Sequence, residues 1–503
     1  MSAPIDTAPA AAMGRIHLFS REPKIKILHL SWLAFLISFI VWFNLPPLMA
    51  SIRDTFGLSK QQVAALAIMN VAFTIPARIG VGILVDKLGP RLMYSLLLLI
   101  SGLLCIAFAL STSFEMLAVT RFLLAFAGAG FVVGIRIVAE WFPAKETGRA
   151  QGIYAGLGNF GSAVAAITLP TLAYSMTPYF PGWEGWRLAM IVTGIIAIIY
   201  GLIYYITVTD TPKGATYFKP KKMGAMEVTS TGDFLLYCVM QAPVVLSLAL
   251  FAWRLGPGEL KIISQPFEYT LYAITAGLFV FQVFDAFRVN KNIFREPVAQ
   301  IYRYRFTQVA ILDVAYLITF GSELTVVSIL PLLFKDTFDL SLTMAGFLGA
   351  SFGLTTFFAR PAGGWLSDMY GRRRILILCL AGTAFGYTAM SYIGTATGIA
   401  YAVAATFICS LFVNAGNGAV YAMLPMIKRR LTGQIAGMVG AFGNIGGVLF
   451  LVIYSAVDVH TFFLVAAAFA AAGVLLALAF VREPSGQIAE DMPDGSIAMI
   501  DVT

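Results

Sequence analysis

The sequence predicts an all-α polytopic membrane protein with two pseudo-symmetric six-helix halves and two extra helices between them. Of its 503 residues, 59% are hydrophobic and only 12% are charged. Apolar runs of about 20 residues recur along the chain, and each is long enough to span a bilayer as a helix. Two residue patterns also recur in the same order, with offsets of 282 and 285 residues. Repeated halves around a central site are typical of secondary transporters.

Fourteen apolar segments are candidate membrane spans, and the charges between them set their orientation. With the N-terminus in the cytoplasm, 24 of the 34 lysines and arginines fall on the cytoplasmic side, six fall outside and four lie within spans. Positive charge accumulates in cytoplasmic loops, so we expect both termini in the cytoplasm. The candidate spans are 27–50, 62–85, 92–111, 117–142, 150–175, 187–208, 233–253, 267–287, 307–334, 343–366, 375–395, 399–424, 434–456 and 459–481.

The repeat divides the chain into five parts. The insert between the halves contains the two apolar segments 233–253 and 267–287, which could be two crossings or an interfacial hairpin. Either choice preserves the orientation of the rest, because two crossings return the chain to the same side. The expected parts are a cytoplasmic tail at 1–26, a six-helix half at 27–209, the insert at 210–305, a second half at 306–482 and a cytoplasmic tail at 483–503.

The composition argues against several function classes. The net charge of +8 follows from the cytoplasmic loops, so it does not indicate nucleic-acid binding. All four cysteines fall inside apolar runs without close-pair spacing, which suits neither a disulfide framework nor a metal cluster. The sequence shows no catalytic constellation and no segment long enough for a soluble domain. We therefore expect no enzyme activity, no cofactor and no metal, and a monomer whose main partner is the lipid bilayer.

Two arginines lie deep within apolar runs, at matching places in the repeat. Arg78 and Arg360 are each followed by glycine four residues later, aspartate after eight, glycine after eleven and arginine after thirteen. If Asp86 and Asp368 mark the cytoplasmic helix ends, each arginine lies roughly 12 Å further along its helix. That depth is near the middle of an apolar core about 30 Å thick. Charges there cost a few kcal/mol or more and are usually functional, so the pair predicts a small-anion site.

A second repeated motif brings two asparagines to the same level. The pattern Thr-Gly-(3)-Gly-(5)-Gly-Asn-(1)-Gly occurs at 147–161 and again at 432–446. Asn159 and Asn444 each lie eleven residues beyond the glycine at the cytoplasmic end, which is roughly 16 Å along a helix. Their amides could donate hydrogen bonds to an anion. Alternatively, these are helix-packing motifs with an interhelical amide bond.

Four further charged residues are candidates for gating or proton coupling. Arg136 and Glu140 are four residues apart near the cytoplasmic end of the fourth span, a spacing that favours an ion pair. Asp313 and Glu323 lie in the ninth span, with Asp313 roughly 9 Å in and Glu323 well toward the outside. Either could carry a coupling proton or be a neutral or water-exposed group. No obvious buried carboxylate accompanies the two central arginines.

The repeated motifs resemble those of a known family. The loops Gly82–Arg91 and Gly364–Arg373 are similar to the loop motif of the major facilitator superfamily, with Pro90 and Tyr370 as departures. The glycine–asparagine motifs resemble the paired signatures of its nitrate/nitrite porter (NarK-like) family, in which Ser162 is a mild departure. The resemblance covers twelve spans, leaves out the insert, and implies the major facilitator fold.

The resemblance also implies a substrate and its ligands. In that family two buried arginines clamp a planar anion, and Arg78 and Arg360 match them. A pocket asparagine matches Asn159. Arginine suits nitrate and nitrite because its planar fork of donors stays ionised and is less strongly hydrated than lysine.

Aromatic residues complete the implied pocket. The segment containing Tyr316 and Phe320 resembles the family segment that contributes a tyrosine and a phenylalanine. Phe131, eleven residues before Phe142, resembles an aromatic that sandwiches the substrate. The alternative is that these phenylalanines, two of 40 in the chain, face lipid or core.

The implied function is transport of nitrate and/or nitrite across the cell inner membrane by alternating access. Two like charges in an empty site repel each other, and a bound anion would reduce that repulsion and let the halves close. An empty carrier that cannot readily close favours exchange of nitrate for nitrite. Proton-coupled nitrate uptake, another small-anion carrier and a passive anion channel stay open as alternatives.

Overall fold

The computed structural model shows a helical membrane protein. Thirteen helical segments among the described residues are long and apolar enough to cross a membrane. The remaining predicted span corresponds to the helix Arg372–Met390, which is less apolar because it begins with three arginines. The structure describes residues 17–142, 144–214, 225–259, 261–296, 298, 303–428, 431–483, 487–491 and 497–501.

The first half contains several spans that are each built from two helices. Thus the first helix ends at Trp42, and the second begins at Leu45 with Pro46 and Pro47 in its first turn, where proline fits because the N–H groups of that turn have no partner within the helix. A 3₁₀ turn, Ala125–Ala129, interrupts the fourth span in the same way. The helices are α1 (Pro23–Trp42), α2 (Leu45–Phe56), α3 (Lys60–Ala72), α4 (Thr74–Leu88), α5 (Pro90–Ala109), α6 (Phe114–Leu124), α7 (Gly130–Trp141), α8 (Ala144–Asn159), α9 (Gly161–Met176) and α10 (Gly185–Thr207), with a 3₁₀ turn at Thr177–Tyr179.

The insert and the second half follow. A short antiparallel hairpin of β1 (Gln487–Asp491) and β2 (Ile497–Asp501) ends the described chain, an element that the all-α expectation did not include. The helices are α11 (Thr231–Leu255), α12 (Gln265–Asn290), α13 (Phe306–Phe338), α14 (Leu342–Gly349), α15 (Ser351–Leu354), α16 (Thr356–Tyr370), α17 (Arg372–Met390), α18 (Gly398–Ile427), α19 (Thr432–Ala456) and α20 (Val459–Phe480), with a 3₁₀ turn at Lys291–Phe294.

The two insert helices are each long enough to cross a membrane. They contain 25 and 26 residues, roughly 37 Å of helix at 1.5 Å per residue. Helix α11 packs against α13 and α19 of the second half. It also contacts the first half, where Phe251 stacks on Phe122 with ring centroids 5.5 Å apart. Helix α11 therefore lies beside both halves, and the two alternatives for the insert, two crossings or an interfacial hairpin, stay predictions.

Glycines of the repeated motif bring equivalent helices close together. A Cβ on Gly158 would lie 1.8 Å from Cδ1 of Phe35, and a Cβ on Gly443 would lie 2.6 Å from Cδ1 of Phe320. Both distances are too short for any larger residue, so α8 approaches α1 and α19 approaches α13 only because of these glycines. The repeat in sequence is therefore a repeat in packing.

The repeated loop has the same backbone geometry and the same kind of cap in both halves. Gly89 and Gly371 have φ values of 86° and 97°, which favour glycine. Asp210, just beyond α10, accepts a hydrogen bond of 2.7 Å from the backbone N–H of Arg91. Glu483, just beyond α20, accepts one of 2.7 Å from the N–H of Arg372. Each carboxylate caps a helix N-terminus and ties the last helix of its half to the loop.

The two halves touch at more than one level. At one end, Arg53 of α2 donates to Asp336 of α13 with an N–O distance of 2.6 Å. A Cβ on Gly156 of α8 would lie 3.8 Å from the ring of Pro361 on α16, the residue that follows Arg360. The halves therefore also meet at the level of Arg360.

Candidate functional site

Arg78 is held by the first half and reaches across to the second. Its Nε donates to the carbonyl of Gly128, in the 3₁₀ turn of the fourth span, over 3.2 Å. Its Nη1 donates to the carbonyl of Gly440, on α19, over 3.3 Å. The guanidinium carbon lies 5.4 Å from the centroid of the Phe131 ring. Carbonyls and a ring face orient the cation without supplying a compensating negative charge.

Arg360 has a different environment because a carboxylate pairs with it. Its Nη2 donates to Oε2 of Glu323 over 2.8 Å, and both side chains are at least 90% buried. The guanidinium carbon lies 5.3 Å from the centroid of the Phe320 ring. The expectation that no buried carboxylate accompanies the arginines is therefore wrong for Arg360. The two residues lie on different helices, so their pairing depends on how those helices pack.

Glu323 is part of a polar cluster at the level of Arg360. Asn417 Nδ2 donates to its Oε2 over 2.6 Å, and Thr356 Oγ1 donates to its Oε1 over 3.4 Å. Thr356 also lies 3.0 Å from Oδ1 of Asn414. The expectation that Glu323 lies well toward the outside is wrong. Counting residues along the helix axis misplaced it because the count takes no account of where neighbouring helices lie against each other.

Both arginines keep donors that no described residue uses. Arg78 makes no hydrogen bond through Nη2, and no acidic side chain pairs with it within the described ranges. Arg360 uses only Nη2, and its buried Nε has no partner among the described residues. A buried guanidinium with unused N–H groups favours an anion with several acceptor atoms.

Aromatic rings line the space beside these cations. Tyr316 stacks on Phe320 with ring centroids 4.9 Å apart and an interplanar angle of 11°. Tyr421 of α18 lies edge-on to Tyr316 at 5.1 Å and to Phe131 at 6.4 Å. The predicted aromatics thus lie together next to the arginines. Tyr421 was not among the predicted residues, because a single tyrosine near the end of a span carries no repeat signal.

Both motif asparagines are buried, but their amides bond within their own helices. Asn159 Nδ2 donates to the carbonyl of Ala155 over 2.8 Å, and Asn444 Nδ2 donates to that of Gly440 over 2.9 Å. With the residues that the structure describes, neither makes the interhelical amide bond that the alternative interpretation required. Each amide retains one N–H, and Oδ1 of Asn444 has no partner among the described residues.

The other charged candidates lie in two different settings. Arg136 and Glu140 form the expected ion pair, with an N–O distance of 2.9 Å. Asp313 is completely buried, and neither of its carboxyl oxygens has a partner among the described residues.

A third buried arginine, Arg121, has a structural environment. It donates to Oδ1 of Asn44 over 2.7 Å and to Oδ1 of Asn70 over 3.0 Å. It also donates to the carbonyl of Trp42, where the first span changes from α1 to α2. These acceptors join three broken spans of the first half around one guanidinium.

Comparisons with known proteins agree with the fold and the repeated motifs. The family model of the Major Facilitator Superfamily matches residues 31–294 and 312–494. The chain belongs to the Major Facilitator Superfamily. Within this superfamily it is 42% identical over 477 residues to the nitrate/nitrite transporter NrtP of Nostoc punctiforme, covering 94% of this chain and 95% of that protein. It is 40% identical to the nitrate/nitrite transporter NrtP of Picosynechococcus, covering 87% and 86%.

These relatives confirm the expected nitrate/nitrite porter (NarK-like) family within the superfamily. The probable nitrate/nitrite antiporter NarK1 of Thermus thermophilus is 26% identical, covering 85% of this chain and 84% of that protein. Among solved structures, the inward-open xylose transporter XylE of E. coli matches with a TM-score of 0.61 at 13% identity, covering 92% and 97%. At that identity the match confirms the superfamily fold alone.

Proposed function

We propose that this chain moves nitrate and/or nitrite across the cell inner membrane by alternating access, and that the anion binds between Arg78 and Arg360. The observation that carries the proposal is the pair of buried guanidinium groups, each over a phenylalanine face and each with unused donors. A planar monoanion can accept from both and lie between the aromatic rings. The relatives named nitrate/nitrite transporters support the choice of anion.

The placement of Arg78 links binding to movement of the halves. This residue belongs to α4 of the first half, yet its Nη1 donates to Gly440 on α19 of the second half. A bound anion that also contacts Arg360 would draw the two halves together by replacing cation repulsion with attraction. Release to one side then requires that Arg78 and α19 separate. Closing on the anion and separating to release it together amount to the two halves rocking about a central site.

Substitution of Arg78 by lysine tests the binding site. Arg78→Lys keeps the charge but loses the planar fork, so we expect nitrate binding to weaken by about a hundredfold and transport to be lost. Binding is measured by calorimetry on purified protein, and transport by nitrate uptake into proteoliposomes. Arg288→Lys is the matched control, because that exposed arginine pairs with Asp285 on its own helix in the insert. Wild-type nitrate affinity in Arg78→Lys would exclude the two-arginine site.

We infer exchange of nitrate for nitrite as the transport mode. An empty site keeps Arg78 uncompensated, so the unloaded carrier is expected to close less readily than the loaded one. Counterflow in proteoliposomes without a pH gradient is the expected result. A panel of other anions in the same assay separates a nitrate/nitrite carrier from another anion carrier, and rates near diffusion without counterflow would indicate a channel.

Proton-coupled uptake is a second candidate that the ion pair between Arg360 and Glu323 favours. Protonation of this carboxylate would free the guanidinium for the anion, which would link proton and nitrate binding. Asp313 is a further coupling candidate, because a buried carboxyl without partners is far less costly when neutral. We assign Arg136 and Glu140 to a gate. Strict dependence of uptake on a proton gradient would exclude pure exchange.

A further inference from the structure

The hydroxyl of Tyr421 is a buried polar group with no hydrogen-bond partner among the described residues. Tyr421 lies on α18, edge-on to the rings of Phe131 and Tyr316. Its Oη is shielded from solvent. Buried hydroxyls in folded proteins nearly always have a partner, so one that lies beside a binding site without a partner is available to a ligand.

This hydroxyl lies beside the cation that has no carboxylate. An ideal Cβ on Gly440 would be 3.5 Å from Oη of Tyr421 and 3.7 Å from Nη1 of Arg78, so the two donors are within about 7 Å of each other. Tyr421 also lies edge-on to Tyr316, which stacks on Phe320, and the centroid of the Phe320 ring lies 5.3 Å from the guanidinium carbon of Arg360. Tyr421 therefore lies beside Arg78 and belongs to the same group of aromatic rings that contacts Arg360.

The number of donors around this site favours an anion with several acceptor atoms. Arg78, Arg360 and Tyr421 each keep an N–H or O–H group that no described residue uses. Nitrate and nitrite can offer a separate oxygen to different donors, whereas a halide is a single acceptor centre.

We propose that the Tyr421 hydroxyl donates a hydrogen bond to the bound anion and selects oxyanions over halides. The inference rests on the proposed function, because it requires the anion to bind beside Arg78. Tyr421 matters for anion binding because the two arginines have different partners. Arg360 is already engaged by Glu323, so Tyr421 adds a donor on the side where Arg78 has only carbonyl partners and a ring face.

Replacement of the tyrosine by phenylalanine tests the proposal. Tyr421→Phe keeps the ring and removes only the hydroxyl, so we expect nitrate binding to weaken by about tenfold while chloride competition stays unchanged. Both are measured by calorimetry and by inhibition of nitrate uptake. Tyr387→Phe is the matched control, because that buried hydroxyl also lacks a partner among the described residues while its ring stacks on Phe463 of α20. Its nitrate-to-chloride selectivity should equal that of the wild type.

Thermal unfolding separates a ligand role from a structural one. Without nitrate, Tyr421→Phe should melt at or above the wild-type temperature, because it removes a polar group that has no partner. Added nitrate should raise the melting temperature less than in the wild type. A lower melting temperature without nitrate, or unchanged nitrate-to-chloride selectivity, would overturn the proposal. If Arg78→Lys abolishes nitrate binding while Tyr421→Phe leaves it intact, only the role of Tyr421 fails.

Discussion

Replacing Glu323 by glutamine should strengthen anion binding rather than weaken it. The carboxylate accepts from Arg360 over 2.8 Å and from Asn417 over 2.6 Å, so it competes with a substrate anion for the same guanidinium. Glutamine has nearly the same shape and retains an oxygen that can accept from either donor. The substitution therefore removes the negative charge while it preserves most of the packing.

The size of the expected gain in nitrate affinity follows from the geometry of the ion pair between Arg360 and Glu323. An anion on the free edge of the Arg360 guanidinium would lie roughly 6 Å from the Glu323 carboxylate, and at an effective dielectric constant of 20 the repulsion is about 3 kcal/mol. Water in an open site reduces this value. We therefore expect nitrate to bind about tenfold to a hundredfold more tightly in Glu323→Gln, where each factor of ten corresponds to about 1.4 kcal/mol.

Calorimetric titration of purified protein with nitrate, over a range of pH, measures the effect. Protonation of Glu323 removes the competing charge, so wild-type nitrate affinity should rise as pH falls. The affinity of Glu323→Gln should change less with pH. Glu268→Gln is the matched control, since that buried glutamate accepts from Tyr272 within the insert and does not contact the arginines. It should bind nitrate like the wild type.

Two results would refute this reasoning. Equal or weaker nitrate binding in Glu323→Gln would mean that the carboxylate positions Arg360 for the anion rather than competing with it. Equal pH dependence in the variant and the wild type would assign the proton linkage to another group, with Asp313 as the next buried carboxyl to replace.

Three further substitutions test the packing on which the site depends. Gly158→Ala and Gly443→Ala should each destabilise the protein by about 1–3 kcal/mol, because the added methyl meets an aromatic ring. Thermal unfolding measures the loss. The control variants are Gly152→Ala and Gly437→Ala, where a Cβ meets nothing within 4 Å. Equal melting temperatures for the two sets would contradict the packing argument. Arg121→Lys should lower stability by about 3–5 kcal/mol, because a single ammonium cannot serve the buried acceptors around it. Poor yield and early unfolding are the readout, and a variant that is stable yet fails to transport would instead assign this residue to the substrate.

The repeat explains why much of the site could be predicted. Arg78 and Arg360 each precede the C-terminal residue of their helix by ten positions, at Leu88 and Tyr370. Helical rise converts that number into a depth of roughly 15 Å, so the two cations had to lie at one level. The glycine at Gly443 likewise had to mark a close helix contact, because only glycine leaves room for an aromatic ring there.

The partners of these residues could not be predicted in the same way. Glu323 and Arg360 are 37 positions apart on different helices, and Tyr421 and Arg78 belong to different halves. Whether such side chains meet depends on helix rotation, tilt and the approach of neighbouring backbones. None of these quantities recurs along the sequence at a fixed interval, so no residue pattern predicts them. The asparagine amides show the same limit, since Asn444 lies at the expected level and yet donates to its own helix.

By itself, the sequence determined the membrane class and the two-fold repeat, and it predicts the orientation and the depth of the paired arginines. These properties depend on composition, on the placement of charge and on the constant rise of a helix. Only the tertiary structure decided that the site is asymmetric, with Arg360 paired to Glu323 and Arg78 left to carbonyl oxygens and a ring face. The physical reason is that an ion pair between helices forms only where packing brings the charged atoms within a few ångströms. The order of residues along the chain does not specify the distance between side chains on different helices.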